Sequence, residues 1–206
     1  MHMAFILFDD MTTLDLAGFH NAVTWLNKRG YRDDLTWHYC ADKPEITDDR
    51  GMTIKADCVL PDLAAYDLVF IPGGIGTRRW IHDKPFMQWI QSAMAVPYKV
   101  SVCTGALIYG AAGFLRDRTV TTNPLALELL KPYCREVVRS RAVQDGGIFT
   151  GGGITASVDL GLYFIESTMN GEIASDIAML MDYPYYSPSN RSDSNHGGLE
   201  NRRTGA

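Results

Sequence analysis

The chain has 206 residues, 46% apolar and 21% charged, with a formal net charge of −5 at neutral pH. That balance suits a soluble globular protein, and with no basic run longer than a pair it argues against nucleic-acid binding. No apolar stretch approaches the roughly 20 residues of a membrane span. Met3–Phe8 is too short for a signal peptide and is ended by Asp9 and Asp10, so a cytoplasmic location is expected. The four cysteines (Cys40, Cys58, Cys103 and Cys134) stand far apart with no Cys-x-x-Cys pair. Free thiols and no metal site are the expectation.

In chain order, the pattern alternates strand and helix. Met3–Phe8 predicts a first strand, and Asp15–Lys28 predicts a helix stopped by Gly30. Leu35–Tyr39 and Met52–Ile54 predict further strands. Asp67–Ile71 is a continuous apolar run ending in Pro72-Gly73-Gly74, as expected for a central parallel strand feeding a loop. Pro85–Ala95 is an amphipathic helix, and Val100–Val102 is a short buried strand. Thr104–Ala112 reads as a helix closed by Gly113. Val137–Val138, Ala142–Gln144 and Gly147–Thr150 form a late strand group with a turn at Asp145-Gly146, and Ile154–Thr168 and Glu172–Met181 are helical.

Such alternation predicts an α/β fold: a mostly parallel central sheet covered on both faces, with ligands at the carboxyl ends of the strands. Asp9–Gly18, Pro72–Gly76 and Cys103–Gly105 all fall there. No composition break divides residues 1–186, which read as a single domain. The polar tail, 187–206, lacks apolar periodicity. It is expected to be disordered or to lie along a partner subunit, without catalytic residues.

Cys103 lies on the strand-to-helix turn, the geometry of a nucleophile elbow. Backbone N–H groups and the helix dipole there favour thiolate over thiol; the alternative is a buried, inert cysteine. Asp15 reads either as a helix N-cap or as a carboxyl held against the sulfur, its pKa raised by burial and a nearby thiolate. Gly73 and Gly74 read as a plain turn or, with the Thr104 N–H, as an anion-stabilising hole. Thr150–Ala156 is glycine-rich but lacks the Lys of a phosphate-binding loop. Its Gly153 and Ile154 are expected to border the pocket beside Cys103. No His stands directly after Cys103 or lies in Thr150–Asp159, so a Cys–His dyad would need His20 or His82 to fold into the site. Trp25, Trp80, Phe114 and Tyr163 either line the pocket or fill an ordinary core.

These residues resemble the ThiJ/PfpI superfamily over about residues 3–186, and most closely its isocyanide (isonitrile) hydratase branch. The resemblance rests on Leu14-Asp15-Leu16-Ala17-Gly18, Ile71-Pro72-Gly73-Gly74, Ser101-Val102-Cys103-Thr104-Gly105, Ala111–Leu115, Thr121-Thr122 and Thr150–Ala156. It implies a homodimeric, flavodoxin-like three-layer sandwich that needs no cofactor. Cys103 would be the nucleophile, Asp15 the acid/base and Thr104 their neighbour. The implied reaction hydrates R–N≡C to an N-substituted formamide through a cysteine thioimidate. Proteases of the superfamily carry Cys-His where Cys103-Thr104 stands. Its glyoxalases and deglycases use Glu in place of Asp15 and often His at the position of Asn123, where the hydratases also tend to carry His. Glyoxalase or deglycase activity on small aldehydes, a ligand-sensing domain and a redox sensor are the competing expectations.

Overall fold

The computed structural model describes residues 1–188; apart from its first two residues, the predicted polar tail lies outside them. The elements run β1 (His2–Ile6), α1 (Thr13–Lys28), β2 (Thr36–Ala41), β3 (Glu45–Thr47), β4 (Thr53–Lys55) and β5 (Cys58–Val59). Then come β6 (Leu68–Ile71), α2 (Thr77–Trp80), α3 (Lys84–Gln91), β7 (Tyr98–Val102), α4 (Gly105–Ala111) and β8 (Thr119–Val120). The chain continues with α5 (Leu127–Leu130), β9 (Glu136–Val137), β10 (Ala142–Asp145), β11 (Ile148–Gly151), α6 (Ala156–Thr168) and α7 (Gly171–Leu180). The predicted helix over Pro85–Ala95 divides, its last turn tightening into a 3-10 turn over Ser92–Ala95.

A seven-stranded sheet in the order β10-β11-β7-β6-β1-β2-β5 forms the centre. Its pairings are parallel except for β10 with β11, joined by the Asp145-Gly146 turn. The core strands β6 and β7 are buried on both faces, which explains their continuous apolar runs. β3 and β4 form a separate hairpin, and β8 with β9 a second small ladder. Elements of two or three residues carry no readable periodicity: β4 and β9 were anticipated from their β-branched residues, whereas β3, β5 and β8 were not.

Helix starts follow local chemistry. The Asp83 carboxylate accepts from Phe86 N–H at 2.9 Å at the head of α3, and the Asn170 side chain does the same for Ile173 N–H at 2.9 Å at the head of α7. The buried residues of α3 are Phe86, Met87, Trp89 and Ile90, one apolar stripe of a helix lying on a sheet. On one side of the sheet, Phe19 of α1 stacks on Phe70 of β6, with ring centroids 4.7 Å apart. On the other, Tyr109 of α4 donates to the Val69 carbonyl at 2.7 Å.

α1 and α6 pack directly on each other, and two glycines set how closely. A Cβ on Gly18 would stand 2.8 Å from Ser157 Cβ, and one on Gly161 would stand 2.6 Å from Ala22 Cβ. This contact fixes α1, and with it the segment that bears Asp15. Gly18→Val is therefore expected to lower stability by about 2 kcal/mol, overpacking being costly and a β-branched residue gaining little helix propensity. Urea unfolding checks this: a lower midpoint at unchanged slope is the expected result.

Candidate active site

Cys103 follows β7 directly, and its φ of 55° lies in the left-handed region. A side chain there carries a strain of about 1–2 kcal/mol that the surroundings must hold in place. The Cys103 N–H donates to the Gly151 carbonyl at 3.0 Å, and Thr122 Oγ1 donates to the Cys103 carbonyl at 2.6 Å. Beneath the turn, a Cβ on Gly105 would meet the Ile71 carbonyl oxygen at 2.4 Å. Glycine there lets the elbow sink against the end of β6.

Asp15 is the third residue of α1 and is fully buried. The N-cap position belongs to Thr12, so Asp15 is free for another partner. Its Oδ2 accepts from Gly73 N–H at 2.8 Å, and Cys103 stands beside it across Gly73. Oδ1 is buried with no conventional donor on it. The preceding residues are tightly held. Thr12 N–H donates to the Gly73 carbonyl at 2.8 Å. The Thr12 and Thr13 hydroxyls donate to Asp49 at 2.8 Å and Asp48 at 2.5 Å.

Gly73 is where these groups converge. A Cβ on it would lie 2.6 Å from Thr104 N, 2.7 Å from Cys103 Cβ and 2.8 Å from Asp15 Oδ2. Gly74, at φ 135°, exchanges two bonds of 3.0 Å with Thr104: its N–H donates to the hydroxyl, and the hydroxyl donates to its carbonyl. The anion hole read from the sequence needs correcting here. The Gly73 and Gly74 amides already hold Asp15 and Thr104, so they position the site rather than present free donors.

A family model matches residues 1–167, that of the DJ-1/PfpI family. The chain belongs to the DJ-1/PfpI family. Among its curated relatives is the isonitrile hydratase of Pseudomonas putida, 31% identical over 184 residues, covering 89% of this chain and 78% of that one. Another is the HTH-type transcriptional regulator GbdR of Pseudomonas aeruginosa, 25% identical, covering 88% of this chain and 50% of the regulator. A solved ThiJ/PfpI family protein from Pseudomonas syringae superposes with a TM-score of 0.80 at 25% identity, covering 93% of this chain and 78% of that one. The sheet and flanking helices are the flavodoxin-like fold of the family.

Within this DJ-1/PfpI scaffold, the electrostatics of the pair depart from the expected thiolate. Burial is the largest influence on both groups. It raises Asp15 to about 7, against the opposing Gly73 and Cys103 hydrogen bonds, with the Asp49 charge adding to the rise. It raises Cys103 to about 11, and the Asp15 charge raises it further, while Asn123 and Thr104 donate to the sulfur in the opposite sense. Donors and turn geometry are outweighed by desolvation. Burial therefore pushes both members of the pair towards their protonated forms.

Asn123 completes the site. Its Nδ2 donates to Cys103 Sγ at 3.4 Å, while its Oδ1 accepts from Leu125 N–H at 2.9 Å. The sequence marked Asn123 only as a departure from a family His; its bond to the sulfur depends on a contact across 20 residues of chain. Gly153 borders this group, a Cβ on it falling 3.8 Å from Asn123 Nδ2. Ile154 is half-buried at the turn into α6.

The described histidines have other partners. His20 bonds the Tyr39 hydroxyl at 3.0 Å, His38 the Tyr66 hydroxyl at 3.0 Å and His2 the Thr36 hydroxyl at 2.8 Å. His82 lines a cleft with Arg78, Leu129 and Tyr133, and His196 lies outside the described residues. Of the aromatic residues considered for the pocket, Trp80 packs on Phe86, Tyr163 on Phe149, Phe114 on Tyr109, and Trp25 beneath the Lys28 ammonium.

A carboxyl whose folded pKa is raised from 3.8 to about 7 stabilises the fold fully at low pH. That contribution is lost as pH rises between the two values. Asp15→Asn is expected to gain stability relative to the native chain as pH rises from 4 to about 8, by a few kcal/mol. Urea midpoints across that range check it. In parallel, iodoacetamide alkylation of Cys103 is expected to accelerate well past pH 8 in the native chain and to shift to lower pH in Asp15→Asn.

Proposed function

We propose that this protein is an isocyanide hydratase, adding water to R–N≡C to give an N-substituted formamide. The observation that carries the reading is Asp15 held against the Cys103 thiol, with a pKa near neutrality. The identity to the isonitrile hydratase over most of both chains supports it.

The ionised Asp15 takes the Cys103 proton as the sulfur attacks the terminal isocyanide carbon, and returns that proton to the same carbon. The product is a thioimidate, R–N=CH–S–Cys, formed with no net change in charge. Water then adds to the thioimidate carbon, giving up one proton to Asp15, which passes that proton to the nitrogen. Collapse of the tetrahedral adduct expels Cys103, whose sulfur takes the hydroxyl proton by way of Asp15, and releases R–NH–CHO. Splitting the hydration into two steps lowers the barrier of each. Burial of the pair keeps bulk water from competing for the proton. Thr104 and Asn123 steady the sulfur as charge develops on it. Exposed Leu14, Ile75 and Leu125 adjoin Asp15, Gly74 and Pro124 in the chain and suit an apolar R group.

The test is formamide production from an aryl isocyanide, followed by absorbance. Cys103→Ala is expected to abolish turnover, and Asp15→Asn to lower kcat by about 10²–10⁴-fold, the usual contribution of a general acid–base. Gly73→Ala, which displaces both groups, is expected to lose about 10²-fold. Reactivity needs the pair with one proton, so kcat/KM should fall below about pH 7 as Asp15 is protonated. No turnover by the native protein at any pH overturns the assignment. A ligand-sensing role, as the half-length match to GbdR suggests, would instead show isocyanide or metabolite binding without product.

A further inference from the structure

Away from Cys103, two other cysteines are set side by side. Cys40 in β2 and Cys58 in β5 are register partners in the parallel pair at the sheet edge. Partners across neighbouring strands project to the same face, their Cα atoms about 5 Å apart, inside the range of roughly 4.4–6.8 Å that a disulfide spans. Both are free, Cys40 buried and Cys58 half-buried. The Tyr66 hydroxyl lies 3.6 Å from Cys40 Sγ and 3.0 Å from His38 Nδ1, so a polar path leads away from the buried thiol.

We propose that Cys40 and Cys58 are a peroxide-oxidisable dithiol that closes to a reversible disulfide between β2 and β5. The half-buried Cys58 is the first to react. Its thiolate attacks a peroxide oxygen, the O–O bond breaks, and a water or alcohol leaves with the proton, giving a sulfenic acid. Cys40 sulfur then attacks Cys58 sulfur, the S–O bond breaks, and water leaves with the Cys40 proton. The peroxide gains two electrons and the two thiols lose them. Burial raises Cys40 to about 12, which suits a resolving thiol that stays unreactive until its partner is oxidised.

The position of the pair gives the bond a consequence. Cys40 and Cys58 stand at the two ends of the excursion that carries the β3–β4 hairpin. That hairpin clasps the segment leading to Asp15. Asp10 N–H donates to the Thr47 carbonyl at 2.9 Å, Asp49 N–H to the Met11 carbonyl at 2.9 Å, and Asp48 and Asp49 hold the Thr13 and Thr12 hydroxyls. A disulfide would close the base of this excursion and restrain its opening.

The full chain treated with a few equivalents of hydrogen peroxide, then alkylated and digested without reductant, tests the proposal. The expected product is a Cys40–Cys58 linked peptide that disappears with dithiothreitol and forms equally in Cys103→Ala. Cys58→Ser should remove it, and Cys40→Ser should leave a dimedone-reactive sulfenic acid on Cys58. If Cys40→Ser fails to fold, the half-buried Cys58→Ser still supplies the comparison. The oxidised native chain should show a higher urea midpoint and slower amide exchange over residues 45–55, neither change being seen in peroxide-treated Cys58→Ser. Oxidation of Cys103 with both Cys40 and Cys58 still alkylated overturns the proposal, as does Cys58 running on to sulfinic acid with Cys40 free.

Discussion

The close approach of three chain segments at Gly73 is the constraint on which the site depends. The end of β6, the elbow after β7 and the first turn of α1 meet so tightly that the position of a single Cβ is already claimed by Thr104, Cys103 and Asp15. Strand ends leave backbone donors that must be satisfied where water is excluded. Here the satisfying groups are side chains of the candidate site itself: Asp15 takes the Gly73 N–H and Thr104 the Gly74 N–H. One set of bonds thus terminates the sheet and orients the site. Gly105 and the Gly18–Ser157 contact extend the same tolerance outward, to the floor of the elbow and to the α1–α6 interface.

Burial at this meeting point also decides the charge state. An exposed elbow cysteine with a neutral donor and backbone N–H groups would lean towards thiolate. Enclosed, and facing a carboxyl, Cys103 is pushed up towards the thiol form, and burial raises Asp15 as well. The pair is then best regarded as one unit that shares a proton, its titration belonging to both members. Such a unit can deliver a nucleophile and a proton to one small substrate atom without a histidine.

The excursion between β2 and β5 connects the sheet edge to this unit. Its Asp48 and Asp49 bind the threonines just before Asp15, and the Asp49 charge raises the Asp15 pKa. Shape and charge at the centre therefore depend partly on a segment anchored at the periphery, where Cys40 and Cys58 face each other.

The long elements were legible because burial imposes a period: continuous apolar runs for β6 and β7, helical spacing for α1, α3 and α6. The strand-to-helix turn at Cys103 was legible for the same reason, since β-branched residues give way to small apolar ones there. The short strands β3, β5 and β8 were not, since two or three residues hold no period and owe their pairing to distant partners. Sequence by itself determined the fold class, the elbow cysteine and the candidate carboxyl, all of which follow from local pattern or motif. Only the tertiary structure decided that Asp15 is no helix cap, that the Gly73 and Gly74 amides are occupied, that Asn123 donates to the sulfur, and that burial pushes the thiol towards its protonated form. Each of these depends on burial and on contacts between residues remote in the chain, which no local pattern encodes.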